Sequence, residues 1–202
     1  MHPLWVQPFK TMEQKHIIIN IGRQFGSCGK AIADELGRRL GIPVYDRELL
    51  SEAAKKSGFR QDLFESSDER HRFWAFGAGL NDSELFKIQS DTIRSIAEKG
   101  SAIFVGRASD YVLRDMKCID VFISAPYETR VARMKEELGI SQKDAEYLVL
   151  RKDRERQDYY NFFTFTEWGV ASNYDLCINS AILGVQGTAE MIIEFGKRTG
   201  LI

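Results

Sequence analysis

Apolar residues along this chain come in short, nearly unbroken runs. Four have strand length: HIIINI at 16–21, AIFVG at 102–106, IDVFISA at 119–125 and YDLCINSA at 174–181, with a shorter PVYD at 43–46. Runs that do not alternate with polar residues suit strands covered on both faces, the pattern of a parallel sheet. Between the runs the period becomes helical. Leu85, Ile88, Thr92 and Ile96 share one side of residues 83–99, and Val131, Met134 and Leu138 follow Pro126 at a helix start. SQKD at 141–144 is a capping box ahead of a helix over 142–160. Alternating strand and helix predict a three-layer α/β sandwich with right-handed crossovers.

Two segments stand outside that pattern. Residues 1–15, with two prolines and no period, are expected to form an N-terminal arm, leaving 16–202 as a single domain. Residues 59–82 mix charges, glycines and aromatics. They fit either an insertion that covers a substrate or an irregular surface connection with Phe73, Trp74 and Phe76 against the body.

Charge narrows the function classes. With 28 basic and 29 acidic residues there is no global field to draw in nucleic acid or anionic lipid, so any anion must be met by local groups. No apolar run approaches the roughly 18 residues of a membrane span, and the first residues lack the apolar core of a signal peptide, so a cytoplasmic protein is expected. Three scattered cysteines and three histidines offer neither a disulfide framework nor an HExxH metal pair.

In an open α/β sheet, ligands bind where the carboxyl ends of strands meet helix N-termini. At the end of the first predicted strand stands Gly22-Arg23-Gln24-Phe25-Gly26-Ser27-Cys28-Gly29-Lys30, followed by Ala31 and a helical run. Glycines that turn backbone N–H groups inward, a helix N-terminus and a lysine make a polyphosphate cradle. Against GxxxxGK[ST], Gln24 replaces the first glycine and Ala31 the hydroxyl residue. A phosphate cradle and a plain strand-turn-helix both fit. Three further stretches are expected on the same edge. Arg107, just past a strand, can grip a phosphate or pair with Asp110 or Asp115. Asp46 and Arg47 follow the short second strand, where Asp46 can serve a ligand or cap a helix. Arg151 and Arg154 share one face of a basic helix, with Arg156 and Lys152 pointing elsewhere; they can close over a migrating phosphoryl group or pair with Asp153 and Glu155.

Taken together, GRQFGSCGKAIADELGRRLGIPVYDRELL, VGRASDYVL, VFISAPYETRVARM, RKDRERQDYY and NYDLCINSA resemble the cytidylate kinase-like family of nucleoside monophosphate kinases, from about Ile17 to Phe195. The resemblance implies a P-loop NTPase fold with a five-stranded parallel sheet in the order 2-3-1-4-5, and helical acceptor-binding (about 46–100) and lid (about 139–173) segments. It implies ATP with Mg²⁺ as donor and a nucleoside monophosphate, CMP or dCMP, as acceptor. Gly22, Gly26, Ser27, Cys28, Gly29, Lys30 and Ala31 would hold the donor phosphates. Asp46, Arg47, Arg107, Asp110 and Arg130 would face the acceptor, and Lys30, Arg151 and Arg154 would act in transfer. The chain departs from the family pattern at Ala31 and Ile32, which replace Gly-Thr, and at Ala108, which replaces an aspartate. A kinase of another small acceptor and a non-catalytic nucleotide sensor are the alternatives, and a homo-oligomer is compatible with either.

Overall fold

The computed structural model describes residues 16–49 and 82–202. The segments 1–15 and 50–81, which contain the predicted arm and the irregular stretch, lie outside the described residues. In chain order the elements are β1 (Ile18–Arg23), α1 (Gly29–Leu40), β2 (Val44–Tyr45), α2 (Asp82–Lys99), β3 (Ala102–Val105), the one-turn α3 (Ser109–Val112), β4 (Ile119–Ser124), α4 (Tyr127–Leu138), α5 (Gln142–Thr164), β5 (Leu176–Asn179) and α6 (Ser180–Thr199).

Every strand pairing is parallel and the strand order is β2-β3-β1-β4-β5, the order implied by the sequence resemblance. The pleat of β1 sorts its residues to two layers. Ile19 and Ile21 pack with Ile103, Val121 and Ile123 against Ile32 and Leu36 of α1 and Ile192 of α6. Ile18 turns to the other face, where Phe104 meets Ile93 and Ala97 of α2 and Leu113 behind α3. The run at 102–105 is buried throughout, as a strand covered on both faces must be.

Local signals set the helix ends. Ser141 caps α5, its side chain accepting from the Asp144 N–H, as SQKD predicts. Gly41 and Gly139 take left-handed conformations at the ends of α1 and α4. A third apolar cluster, Val131 and Met134 on α4 with Ala145 and Val149 on α5, lies beyond the sheet and carries Phe25 of the first turn against it. That contact delivers α5 to the carboxyl edge of β1. α5 also runs farther than the sequence predicts, to Thr164, because Asn161, Phe162 and Phe163 continue the helix without a breaker. No helix among the described residues is long and apolar enough to cross a membrane.

One polar pair sits inside the sheet, its Asn20 buried and its Asp120 partly so. Asn20 Nδ2 donates to Asp120 Oδ1 at 2.8 Å. Burial lifts the Asp120 carboxyl to about 6 against the pull of that hydrogen bond, and the charges of Asp110 and Asp175 add to the lift. A carboxyl whose folded pKa exceeds its unfolded value binds its proton more tightly in the folded state. Its ionisation therefore costs stability as pH rises from about 4 through 6, and the cost persists above that window. Asp120→Asn is expected to raise the unfolding free energy at pH 8 by about 2 kcal/mol, with the gain vanishing by pH 4. Urea denaturation at several pH values checks this; a gain independent of pH would contradict it.

Candidate active site

The turn after β1 is shaped by its side-chain anchors. Gln24 donates its N–H to Ile123 O, and its Oε1 accepts from the Ala125 N–H. Ser27 is fully buried and donates its hydroxyl to Gln24 O and Ile123 O. Ser180, at the start of α6, donates to Ser27 O at 2.7 Å. Three more carbonyls of the turn are taken by guanidinium groups. Arg156 binds Arg23 O at 3.0 Å, Arg130 binds Phe25 O at 3.0 Å, and Arg133 binds Gly26 O. In a planar trans peptide the carbonyl and the following N–H point opposite ways. Fixing the Phe25 carbonyl outward therefore turns the Gly26 N–H inward, toward the start of α1.

That helix start is open. Cys28, the N-cap, has a left-handed backbone (φ 61°) and supplies no side-chain cap, so the first N–H groups of α1, at Gly29, Lys30 and Ala31, lack partners within the helix. Together with the Gly26 amide they are donors of the kind that suits an anion at the positive end of a helix. The Cys28 side chain packs toward the core beneath the loop.

Lys30 Nζ lies 2.5 Å from Asp34 Oδ1 and 3.4 Å from Asp46 Oδ2. Partial burial pulls its pKa down, but these two carboxylates outweigh that and hold the ammonium above its ordinary value. Asp46 takes the helix-capping role foreseen for it, its Oδ1 accepting the Glu48 and Leu49 N–H groups, while its Oδ2 faces Lys30.

Arg23, which closes β1, was not among the expected site residues, yet it occupies the centre. It runs between two glycines. A Cβ on Gly29 would meet the Arg23 Cβ at 2.6 Å, and one on Gly106 would strike its guanidinium. Burial pushes the Arg23 pKa down to about 9, the charges of Arg156 and Arg107 push the same way, and Asp46 opposes them. Arg107 and Arg156 are lowered too, in each case mainly by burial. Arg107 pairs with neither Asp110 nor Asp115. Its Nε (2.9 Å) and Nη2 donate to Gln89 Oε1, and its guanidinium stacks 4.0 Å from the centre of the Tyr159 ring. Gly106, Arg107 and Ala108 all have positive φ. Left-handed backbone costs a non-glycine residue about 1–2 kcal/mol, and such strain collects where function fixes the geometry. Like charges gathered this way, with neither Arg23 nor Arg107 bonded to a carboxylate among the described residues, are suited to an incoming anion.

Several expected residues have other work. Gly22 lies on the opposite face of β1, where a Cβ would meet Phe122 at 2.9 Å and Tyr174 at 3.2 Å, so it is a packing glycine. Arg130 is a buried clamp that holds the carbonyls of Ala125 and Phe25 and pairs with Asp153 at 2.6 Å. Asp110 is turned to α5, where it accepts the Tyr160 hydroxyl at 2.7 Å; burial raises its pKa. Arg151 and Arg154 are exposed, and Arg151 lies 3.6 Å from Glu155. The reason is helical phase. α5 meets the turn through Val149, Asp153 and Arg156, and Tyr160, four residues on, continues that side to Asp110, which puts Arg151 and Arg154 on the outer side. Arg47 is half-buried, with its pKa lowered by burial, and lies close enough to Arg107 to depress that group further.

Comparison with known proteins identifies the family and the fold. Residues 18–182 match the model of the Cytidylate kinase-like family. A cytidylate kinase of Pyrobaculum aerophilum is 26% identical over 184 residues, covering 89% of this chain and 92% of that protein. The crystal structure of an uncharacterized protein from Eubacterium ventriosum superimposes with a TM-score of 0.72 at 32% identity, over 89% of this chain and 97% of that one. A shikimate kinase from Bacteroides thetaiotaomicron, 11% identical, shares the fold with a TM-score of 0.54 over 90% and 98% of the two chains.

Asp153 joins α5 to the turn, since its Oδ1 accepts the Phe25 N–H at 2.7 Å while Oδ2 holds Arg130. Asp153→Ala strands a buried guanidinium and is expected to cost about 3 kcal/mol in chemical denaturation. Amide exchange at residues 23–30 should also accelerate. Stability within about 0.5 kcal/mol of the parent would show that this link does not hold the turn.

Proposed function

The chain belongs to the cytidylate kinase-like family, and on that premise we propose that it transfers the γ-phosphoryl group of ATP to a nucleoside monophosphate, CMP or dCMP first among them. It is a phosphotransferase of P-loop fold. The observation that carries the finer reading is a pair of adjacent cationic regions, an uncapped helix N-terminus on one side of Arg23 and the Arg107–Arg47 group on the other. A neutral hydroxyl acceptor would need only the first.

In this reading the amides of Gly26, Gly29, Lys30 and Ala31 hold the donor phosphates, and Arg107 with Arg47 holds the acceptor phosphate. Arg23 and Arg156 lie between them and stabilise the charge that develops during in-line transfer. Lys30 exchanges its carboxylate partners for the β- and γ-phosphates. The carboxylates of Asp34 and Asp46, which converge on one cationic group, fit as hard-oxygen donors for Mg²⁺ carried by ATP, which would neutralise phosphate charge. An acceptor phosphate is already ionised near neutral pH, so the residues need not supply a general base. Residues 139–173 act as the lid and about 46–100 as the acceptor region. A nucleotide sensor is the second reading, favoured by Ala31 in place of a hydroxyl and by the engagement of Lys30 with carboxylates.

A panel of CMP, dCMP, UMP, AMP, GMP and dTMP with Mg-ATP tests the proposal. We expect one diphosphate product, with turnover lowered at least about 10²-fold in Lys30→Ala and Arg156→Ala. Arg151→Ala, on the outer side of α5, should stay within about twofold, as surface changes do. ATP binding without product across the panel would favour the sensor, and full activity of Lys30→Ala would overturn the donor site.

A further inference from the structure

Gln89 lies on the buried side of α2, one residue from Ile88 and three from Thr92, and is 3% exposed. Its two amide atoms are treated very differently. Oε1 accepts from Arg107 Nε at 2.9 Å, from Arg107 Nη2 and from the Tyr159 hydroxyl at 3.1 Å. Nε2 is buried and has no hydrogen-bond partner among the described residues. The amide cannot be turned over to relieve this. A guanidinium only donates, so the atom facing Arg107 must be the oxygen. A buried donor without an acceptor costs about 1–3 kcal/mol, so each one kept in a native structure calls for a physical reason, a functional partner among them.

The missing acceptor is indicated by what surrounds the donor. Nε2 sits one amide width from the oxygen that fixes Arg107. That guanidinium is flanked by Tyr159 on one face and has its Nε–Nη2 edge committed to Gln89, which leaves the Nη1 edge open among the described residues. Charges of Arg23 and Arg47 stand nearby. An electron-rich oxygen is what both the open guanidinium edge and the stranded amide donor would attract.

We propose that Gln89 reads the acceptor directly, donating from Nε2 to an oxygen of the acceptor's phosphate while its Oε1 orients Arg107. The inference rests on the acceptor site proposed above and adds a phosphate-binding residue to it. It accounts for a glutamine at a position where the stripe of α2 is otherwise filled by Ile88, Thr92, Ile93 and Ala97.

Gln89→Glu separates the two roles. It keeps an oxygen for Arg107 and Tyr159 but replaces the NH₂ with a second oxygen that repels a phosphate. Calorimetric titration with the mononucleotide that the wild type uses should show acceptor affinity reduced about 10- to 100-fold, with ATP affinity and melting temperature unchanged. Gln89→Met, which also frees Arg107, should lose at least as much. In the wild type, the ¹⁵N side-chain amide resonance of Gln89 should shift on adding the acceptor and stay fixed on adding ATP alone. Acceptor affinity retained in Gln89→Glu but lost in Gln89→Met would reduce Gln89 to a support for Arg107 and overturn the proposal, as would an unmoved amide resonance. A wild type that binds none of the mononucleotides would instead remove the acceptor reading itself.

Discussion

The backbone of residues 23–26 is held open by guanidinium groups, and the rest of the site follows from that. Arg156, Arg130 and Arg133 each bind a carbonyl of this turn. With the carbonyls turned outward, the amides between them can face the start of α1. The same contacts bring α4 and α5 to the carboxyl edge of β1, because one side of α5 carries Asp153, Arg156 and Tyr160 in phase. Among the described residues Arg130 is the one clamp arginine in an ion pair, with Asp153. Arg23 and Arg107, outside the clamp, lie close to one another without a bonded carboxylate among the described residues. Such a cluster costs free energy in the absence of a ligand, and an anion placed among its members recovers that cost.

Much of this was legible in the sequence. The continuous apolar runs gave the strands, and their alternation with helical periods gave the layers, because a parallel sheet leaves no face for polar alternation. The capping box at Ser141 and the glycine-bearing turn into α1 were readable from short-range chemistry. Side-chain direction within the turn was not. Gly22 and Gly26 look equivalent as letters, yet the pleat of β1 sends the first against Phe122, while the turn beyond the strand sets the second beside Arg130.

The arginines of α5 show the same limit. Their spacing established that Arg151 and Arg154 share a face, but which face meets the turn depends on the α4–α5 contact through Met134, Ala145 and Val149. Extending the buried positions Ala145 and Val149 by helical steps to 153, 156 and 160 would have found Arg156. Arg23 could have been found from the pleat as well, since it continues the Ile19–Ile21 series to the end of β1. Gln89 carried a signal too, as an amide inside an apolar stripe, though its stranded nitrogen is visible only once Arg107 and Tyr159 are placed.

The central claim is that Arg23 and its neighbours form an anion site that is unfavourable when empty. It is tested most directly by the melting temperature of the wild type and of Arg23→Met in increasing inorganic pyrophosphate, at ionic strength held constant with chloride. The account predicts that Arg23→Met melts higher than the wild type without pyrophosphate and gains far less as pyrophosphate is added. Parallel curves for the two proteins, or no gain beyond that of chloride in the wild type, would contradict it.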